Sequence, residues 1–187
     1  MNPRPAARHK SQAGFTLIEL VIATAIGLVV MSALTSVVLT TVMADNTAIA
    51  HVEASSQVRN FQFNAYDDVV QARPPAPSGC GTPVSPCTTQ DLLLQGSKVP
   101  NQVGGVAVPY TVRYAWDSSR QTVTRYAGPS SRVVASNVTA YSWYVDSSGS
   151  KPSVVINLTV TIASYNVTYR ESQTLQFYPR VTVPPSP

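Results

Sequence analysis

From Leu20 to Ala44 the chain carries no charged residue, and no other feature constrains its fold as strongly. A run of this length spans a bilayer as one helix, which takes about 20 predominantly apolar residues. Gly27 and the scattered Ser and Thr soften the run, but no proline breaks it. One carboxylate, Glu19, stands at its start inside "GFTLIELVIA". Ahead of it lies "MNPRPAARHKSQAG", which is basic and interrupted by Pro3 and Pro5. Arg4, Arg8 and Lys10 supply three of the formal charge of +4, leaving +1 for everything after residue 14. A pI near 9.2 is therefore no sign of a nucleic-acid surface. The basic flank predicts that residues 1–14 stay in the cytoplasm and that the C-terminal bulk is exported.

Three readings of this end compete. A secretory signal peptide has a short apolar region followed by a small-x-small cleavage site, and "ATA" at Ala23 to Ala25 has that form. Glu19 would then interrupt the apolar region, and the run would continue far past the cut. A plain single-pass anchor has the right length but gives no account of Glu19. The third reading covers both features. Gly14, Phe15, Thr16 to Ile18 and Glu19, set between a basic leader and a membrane-length helix, resemble the class III signal sequence of type IV pilins and type II secretion pseudopilins. The resemblance implies that a prepilin peptidase cuts after Gly14 and that the new amine on Phe15 is methylated. It also implies a role for Glu19. A carboxylate in hydrocarbon is penalised by a few kcal/mol unless it finds a partner. The terminal amine of a neighbouring subunit is such a partner, so Glu19 becomes a docking and register device.

Past the membrane run, residues 45–72 contain neither Pro nor Gly and read as a continuing helix, ended by Pro74 and Pro75. Two apolar stripes follow helical spacing: Ile49, Val52, Phe63, Tyr66 and Val70, and beside them Val58, Phe61, Ala65, Val69 and Ala72. So wide a band predicts a helix packed on a sheet. His51 and Glu53 fall on the polar side. Residues 73–87, "RPPAPSGCGTPVSPC", read as an irregular loop holding the only two cysteines, Cys80 and Cys87. In an exported domain an even pair reads as a disulfide. A redox role is disfavoured because the spacing is not Cys-x-x-Cys, and two cysteines without nearby histidines cannot complete a zinc site.

The remainder has a β palette rich in Thr, Ser, Val and Tyr. "AVPYTVRYAW" places Val108, Tyr110, Val112, Tyr114 and Trp116 on one face. "SVVINLTVTIA" places Val154, Ile156, Leu158, Val160 and Ile162 on one face and Val155, Asn157, Thr159 and Thr161 on the other. Gly149 centres a hairpin turn in "DSSGSKP". A last strand or hairpin precedes the Pro-rich tail at 184–187. The expectation is four to six antiparallel strands over residues 105–180, covered by the helix.

Strand rhythm in "YTVRYAWDSSRQTVTRY" and "YSWYVDSSGS" is similar to that of J-type minor pseudopilins and related minor pilins. Taken together, these features predict an α+β, pilin-like fold: leader 1–14, membrane or filament-core helix 15–44, and a periplasmic head 45–187 with a loop at 73–90. What the resemblance implies is a non-enzymatic subunit of a type IV pilus, or of a type II secretion pseudopilus. Such a chain is anchored in the inner membrane and passes into the filament. Its implied partners are other pilin or pseudopilin subunits, prepilin peptidase and the inner-membrane assembly platform. No catalytic set, metal site or cofactor motif is expected. Asp67 and Asp68 read as a solvated pair, and "DSSGS" as a turn with too few oxygens for calcium. Asn137, Asn157 and Asn166 each open a sequon but read as polar strand positions. A tip module binding DNA or a surface is the competing class, with Arg113, Arg120, Arg125 and Arg132 as its candidates.

Overall fold

The computed structural model describes residues 14–98, 108–164 and 167–180. The basic leader up to residue 13, the first residues of the expected sheet region, Asn166 and the Pro-rich tail lie outside these. One helix, α1 (Leu17–Gln71), precedes seven strands: β1 (Leu92–Lys98), β2 (Val108–Asp117), β3 (Thr122–Ala127), β4 (Ser130–Ala135), β5 (Val138–Asp146), β6 (Ser153–Ser164) and β7 (Val167–Phe177). The fold is α+β and pilin-like, one long N-terminal helix with antiparallel sheet. The chain divides into two compact units, one ending at Ala44 and the other beginning at Asp45.

In the first unit every described residue is exposed. The helix contains an 18-residue window of mean hydropathy 2.4, so it is long and apolar enough to cross a membrane. Most of its hydroxyls are paired. Thr24 donates to Val21 O at 3.0 Å, Ser32 to Val29 O at 2.8 Å, Thr35 to Met31 O at 2.8 Å and Thr41 to Val37 O at 2.9 Å. Each hydroxyl satisfies itself on the preceding turn, which lets Ser and Thr sit in an apolar surround.

In the second unit α1 buries Ala50, Ala54, Val58, Phe61, Ala65 and Val69 against the sheets. Of the two expected stripes, only the one with Val58 and Phe61 forms the core. Ile49, Val52, Phe63 and Tyr66 are exposed, Phe63 to 76%, whereas Val70 at the end of the same stripe is buried. The buried stripe is lined by alanines that let the helix backbone approach the sheets, and its one large ring, Phe61, meets Tyr114 and Tyr141 edge-on at 5.7 and 6.1 Å. The other stripe continues the same spacing on the far side of the helix.

The strands form two sheets, ordered β1-β2-β3-β4 and β5-β6-β7, all antiparallel. This departs from the expected single sheet of four to six strands beginning at 105. β1 precedes that boundary, while the final segment is a single strand, one of the two expected forms. The break between sheets falls at Asn137, whose φ of 58° lies in the left-handed region that Asn tolerates. Its carbonyl accepts from Thr161 N at 2.9 Å, and the next residue, Val138, donates to Gln121 O at 2.8 Å. One turn thereby ties the two sheets together. The alternation in β6 holds on its inner face, where Val154, Ile156, Leu158, Val160 and Ile162 are all buried.

The helix end is pinned to β1. Ala72 pairs with Gly96, and Arg73 donates to Gln95 O at 2.8 Å. A Cβ on Gly96 would stand 2.5 Å from Gln71 O and 2.9 Å from Ala72 Cα, so only glycine admits this approach.

Candidate functional site

The residues picked out by the N-terminal motif sit together at the start of α1. Gly14, Phe15 and Thr16 precede the first helical residue, and Glu19 lies in the first turn. Glu19 N–H donates to Thr16 O at 3.1 Å and to Thr16 Oγ1 at 3.4 Å. Thr16 therefore caps the helix, with Glu19 at the third position, the Thr-x-x-Glu pattern of a capping box. A carboxylate here also faces the positive end of the helix dipole. The spacing in "TLIE" carries this local role. It accounts for helix initiation; it does not account for a carboxylate being set in so apolar a segment. Both Phe15 and Glu19 are exposed. An added Cβ at Gly14 would meet nothing within 4 Å, so the fold itself makes no demand for glycine there.

Cys80 and Cys87 are joined by a disulfide, with Cα atoms 5.0 Å apart. The loop they close lies on the edge of β5. Cys87 and Trp143 exchange backbone hydrogen bonds of 2.8 and 3.0 Å, and Val145 donates to Gly81 O at 2.9 Å. Trp143 Nε1 donates to Gln90 O at 2.9 Å, fixing the far side of the loop. The covalent closure thus holds a Pro-rich segment as a cap over otherwise open strand edge.

The densest polar cluster is one that sequence reasoning missed. Asp68 is buried, not solvated as expected, and takes a two-pronged ion pair from Arg125: Nε to Oδ2 at 2.6 Å and Nη2 to Oδ1 at 2.8 Å. Tyr114 Oη donates to the same Oδ2 at 2.6 Å, and Tyr110 Oη donates to the Asp68 carbonyl at 2.7 Å. Helix, β2 and β3 are clamped through one carboxylate. Burial, and then the Asp68 charge, raises both phenols, Tyr110 to about 12 and Tyr114 further. Tyr141 is raised chiefly by burial, and its Oη has no hydrogen-bond partner among the described residues. The hydrogen bonds it donates to Asp68 hold Arg125 firmly protonated.

These shifts predict alkaline sensitivity. Below the ordinary tyrosine value of 10.0 the three phenols are neutral in both folded and unfolded chain, so they contribute no pH dependence. Above it the unfolded chain releases protons that the folded chain retains. Stability should therefore fall as pH rises from 10 through 12 and beyond. Tyrosinate absorbance measured alongside tryptophan fluorescence should show two of the nine tyrosines, Tyr114 and Tyr141, ionising only as the head unfolds.

The four arginines proposed for DNA are each engaged. Arg113 pairs with Asp91 at 3.0 Å and lies over the Tyr126 ring, Arg120 pairs with Asp117 at 3.7 Å, and Arg132 donates to Asn64 Oδ1. The "DSSGS" segment is a turn in which Asp146 Oδ1 accepts from Ser148 N at 2.9 Å. His51 is exposed and stands edge-on to Tyr169. Among the described residues no group of three or more His, Cys, Asp or Glu could hold a metal.

Helix, sheets and N-terminal segment together define a pilin-like architecture. A protein-family model, the prokaryotic N-terminal methylation motif, matches residues 9–35. The chain therefore carries the processing motif typical of type IV pilins and pseudopilins. No curated protein and no solved structure matches.

Proposed function

We propose that this chain is a minor structural subunit of a type IV pilus or a related filament. Prepilin peptidase releases it after Gly14, Phe15 becomes the methylated terminus, and the apolar helix carries it from the inner membrane into the filament. The observation that carries this reading is the match of residues 9–35 to the methylation motif, whose described part opens a helix long and apolar enough to cross a membrane. Two further features support it. The glycine at 14 answers no need of the fold, as expected if the need is a protease's. Glu19 caps its helix locally yet stands in an otherwise chargeless run, where a neighbour's terminal amine would offset its penalty. A minor role is supported by the position of the disulfide, which braces the loop after the helix. A secretion pseudopilin fits the same observations. A DNA-binding tip module is not favoured by Arg125, which is committed to the buried Asp68, whereas Arg113 and Arg120 make exposed surface pairs.

Terminal mass spectrometry of protein from sheared filaments tests the reading. The expected product begins at Phe15 with a methylated amine; a chain retaining Met1, or cut at Ala25, would overturn it. In parallel, Glu19→Ala should leave membrane insertion and cleavage intact but lower the amount in filaments at least tenfold. Normal incorporation of that variant would refute the docking role.

A further inference from the structure

β2 overruns its neighbour on one side. It pairs with β1 all the way from Tyr114 to Val108, but its pairing with β3 begins only at Val112, opposite Ala127. Residues 108–111 therefore present an open strand edge, with no strand beyond it among the described residues. The cause is local. Gly128, with a φ of 58°, turns the chain into β4 just where β3 would have run on. Strand alternation puts Ala127 on the same face of β3 as Arg125, which meets α1 through Asp68. The next place on that face, opposite Tyr110, is left empty by the turn. A cavity of about 710 Å³ lies there, walled by Asp67 and Gln71 of α1, Tyr110 and Thr111 of β2, and Ala127 and Gly128.

The polar groups of this notch are not engaged by the fold. Among the described residues the side chains of Asp67, Gln71 and Thr111 have no hydrogen-bond or ion-pair partner. The other charges lining the cavity are matched, Asp68 by Arg125 and Arg113 by Asp91. One exposed carboxylate, Asp67, is left over beside a bare strand edge. The ring of Tyr110 is fixed next to it, because its Oη donates to Asp68 O at 2.7 Å.

We propose that the notch receives an extended peptide segment carrying a lysine or arginine. The guest's main chain adds to the edge of β2 in the line that β3 leaves, where alternate residues turn their backbone groups outward. One guest side chain then stands opposite Tyr110 on the face turned to α1. Its aliphatic stem lies along the ring and its charge reaches Asp67. That place is four strand positions beyond Arg125, about 14 Å at 3.4 Å per residue, so the resident cation does not oppose the incoming one at close range. An acidic guest residue would instead meet Asp67 as a like charge.

This docking does not depend on the filament reading, and the full chain in detergent micelles is enough to test it. The probe is the end-blocked pentapeptide Ala-Thr-Lys-Thr-Ala, with Ala-Thr-Glu-Thr-Ala as its control. Isothermal titration should show the lysine peptide binding at least tenfold more tightly than the glutamate peptide. The amide signals of Val108, Tyr110 and Thr111 should shift with it, and methylating the guest's backbone nitrogens should lower its affinity at least fivefold. Asp67→Lys should reverse the preference between the two peptides while keeping the wild-type thermal midpoint, since Asp67 is exposed. Equal affinity for both peptides, no binding of the lysine peptide at millimolar concentration, or an unchanged preference in Asp67→Lys would overturn the proposal. End-blocked lysine alone binding as tightly as the peptide would overturn it too, by leaving an amine site without strand addition.

Discussion

Asp68→Ala is expected to destabilise the head by about 3 kcal/mol, the lower end for breaking a buried ion pair. The carboxylate is the meeting point of two side chains, and its removal strands both. Arg125, whose side chain is only 28% exposed, loses both of its prongs, and the fully buried Tyr114 Oη loses its acceptor. An uncompensated cation and an unpaired hydroxyl in a low-dielectric site add up to more than the worth of the bonds themselves. That asymmetry makes a second result the more telling one. Removing both charges together, as Asp68→Leu with Arg125→Met, should recover most of the loss, because matched apolar side chains leave no stranded ion. Urea unfolding of the full chain in detergent reads this directly, since Trp116 and Trp143 both lie in the head and report on it alone. A double variant no better than Asp68→Ala would show that the carboxylate acts through the tyrosines and not through the arginine.

The contrast between that cluster and the N-terminus shows what a linear reading can reach. Gly14, Phe15 and Glu19 carry their meaning in six consecutive residues, and the apolar run beyond them needs only its length to be understood. β6 was legible for the same reason: its alternation is local, and the face with Val154, Ile156 and Leu158 is buried as its period requires. Asp68 was not legible. Two adjacent aspartates on a helix read as solvated, and the arginine that redefines one of them lies 57 residues away on β3. β1 was missed because "LLL" shows no alternation and follows a Pro-rich loop, although both Leu92 and Leu94 are fully buried. The division into two sheets depends on one left-handed backbone turn at Asn137, a position whose sequence context looks like any other strand end. The helix posed a different difficulty. Both of its apolar stripes have helical period, and period alone does not say which side meets the sheets. The alanines at 50, 54 and 65 were the available signal, because only small side chains allow a helix to lie that close.

Phe61→Ala and Phe63→Ala separate those two sides of the helix. Phe61 is fully buried with its ring against Tyr114 and Tyr141, and truncating it leaves a cavity where helix and both sheets converge. Large-to-small changes of this kind destabilise by about 3–5 kcal/mol, and the upper part of that range applies where surrounding rings are themselves held in place. Tyr114 is tied to Asp68, and Tyr141 is paired into β5 and β6 (opposite Leu158), so neither can collapse into the space. Phe63, two residues on, points the other way and is 76% exposed, so its truncation should change stability by less than about 0.5 kcal/mol. Equal destabilisation by the two variants would mean that α1 is rotated relative to the sheets, with Phe63 sharing the buried face.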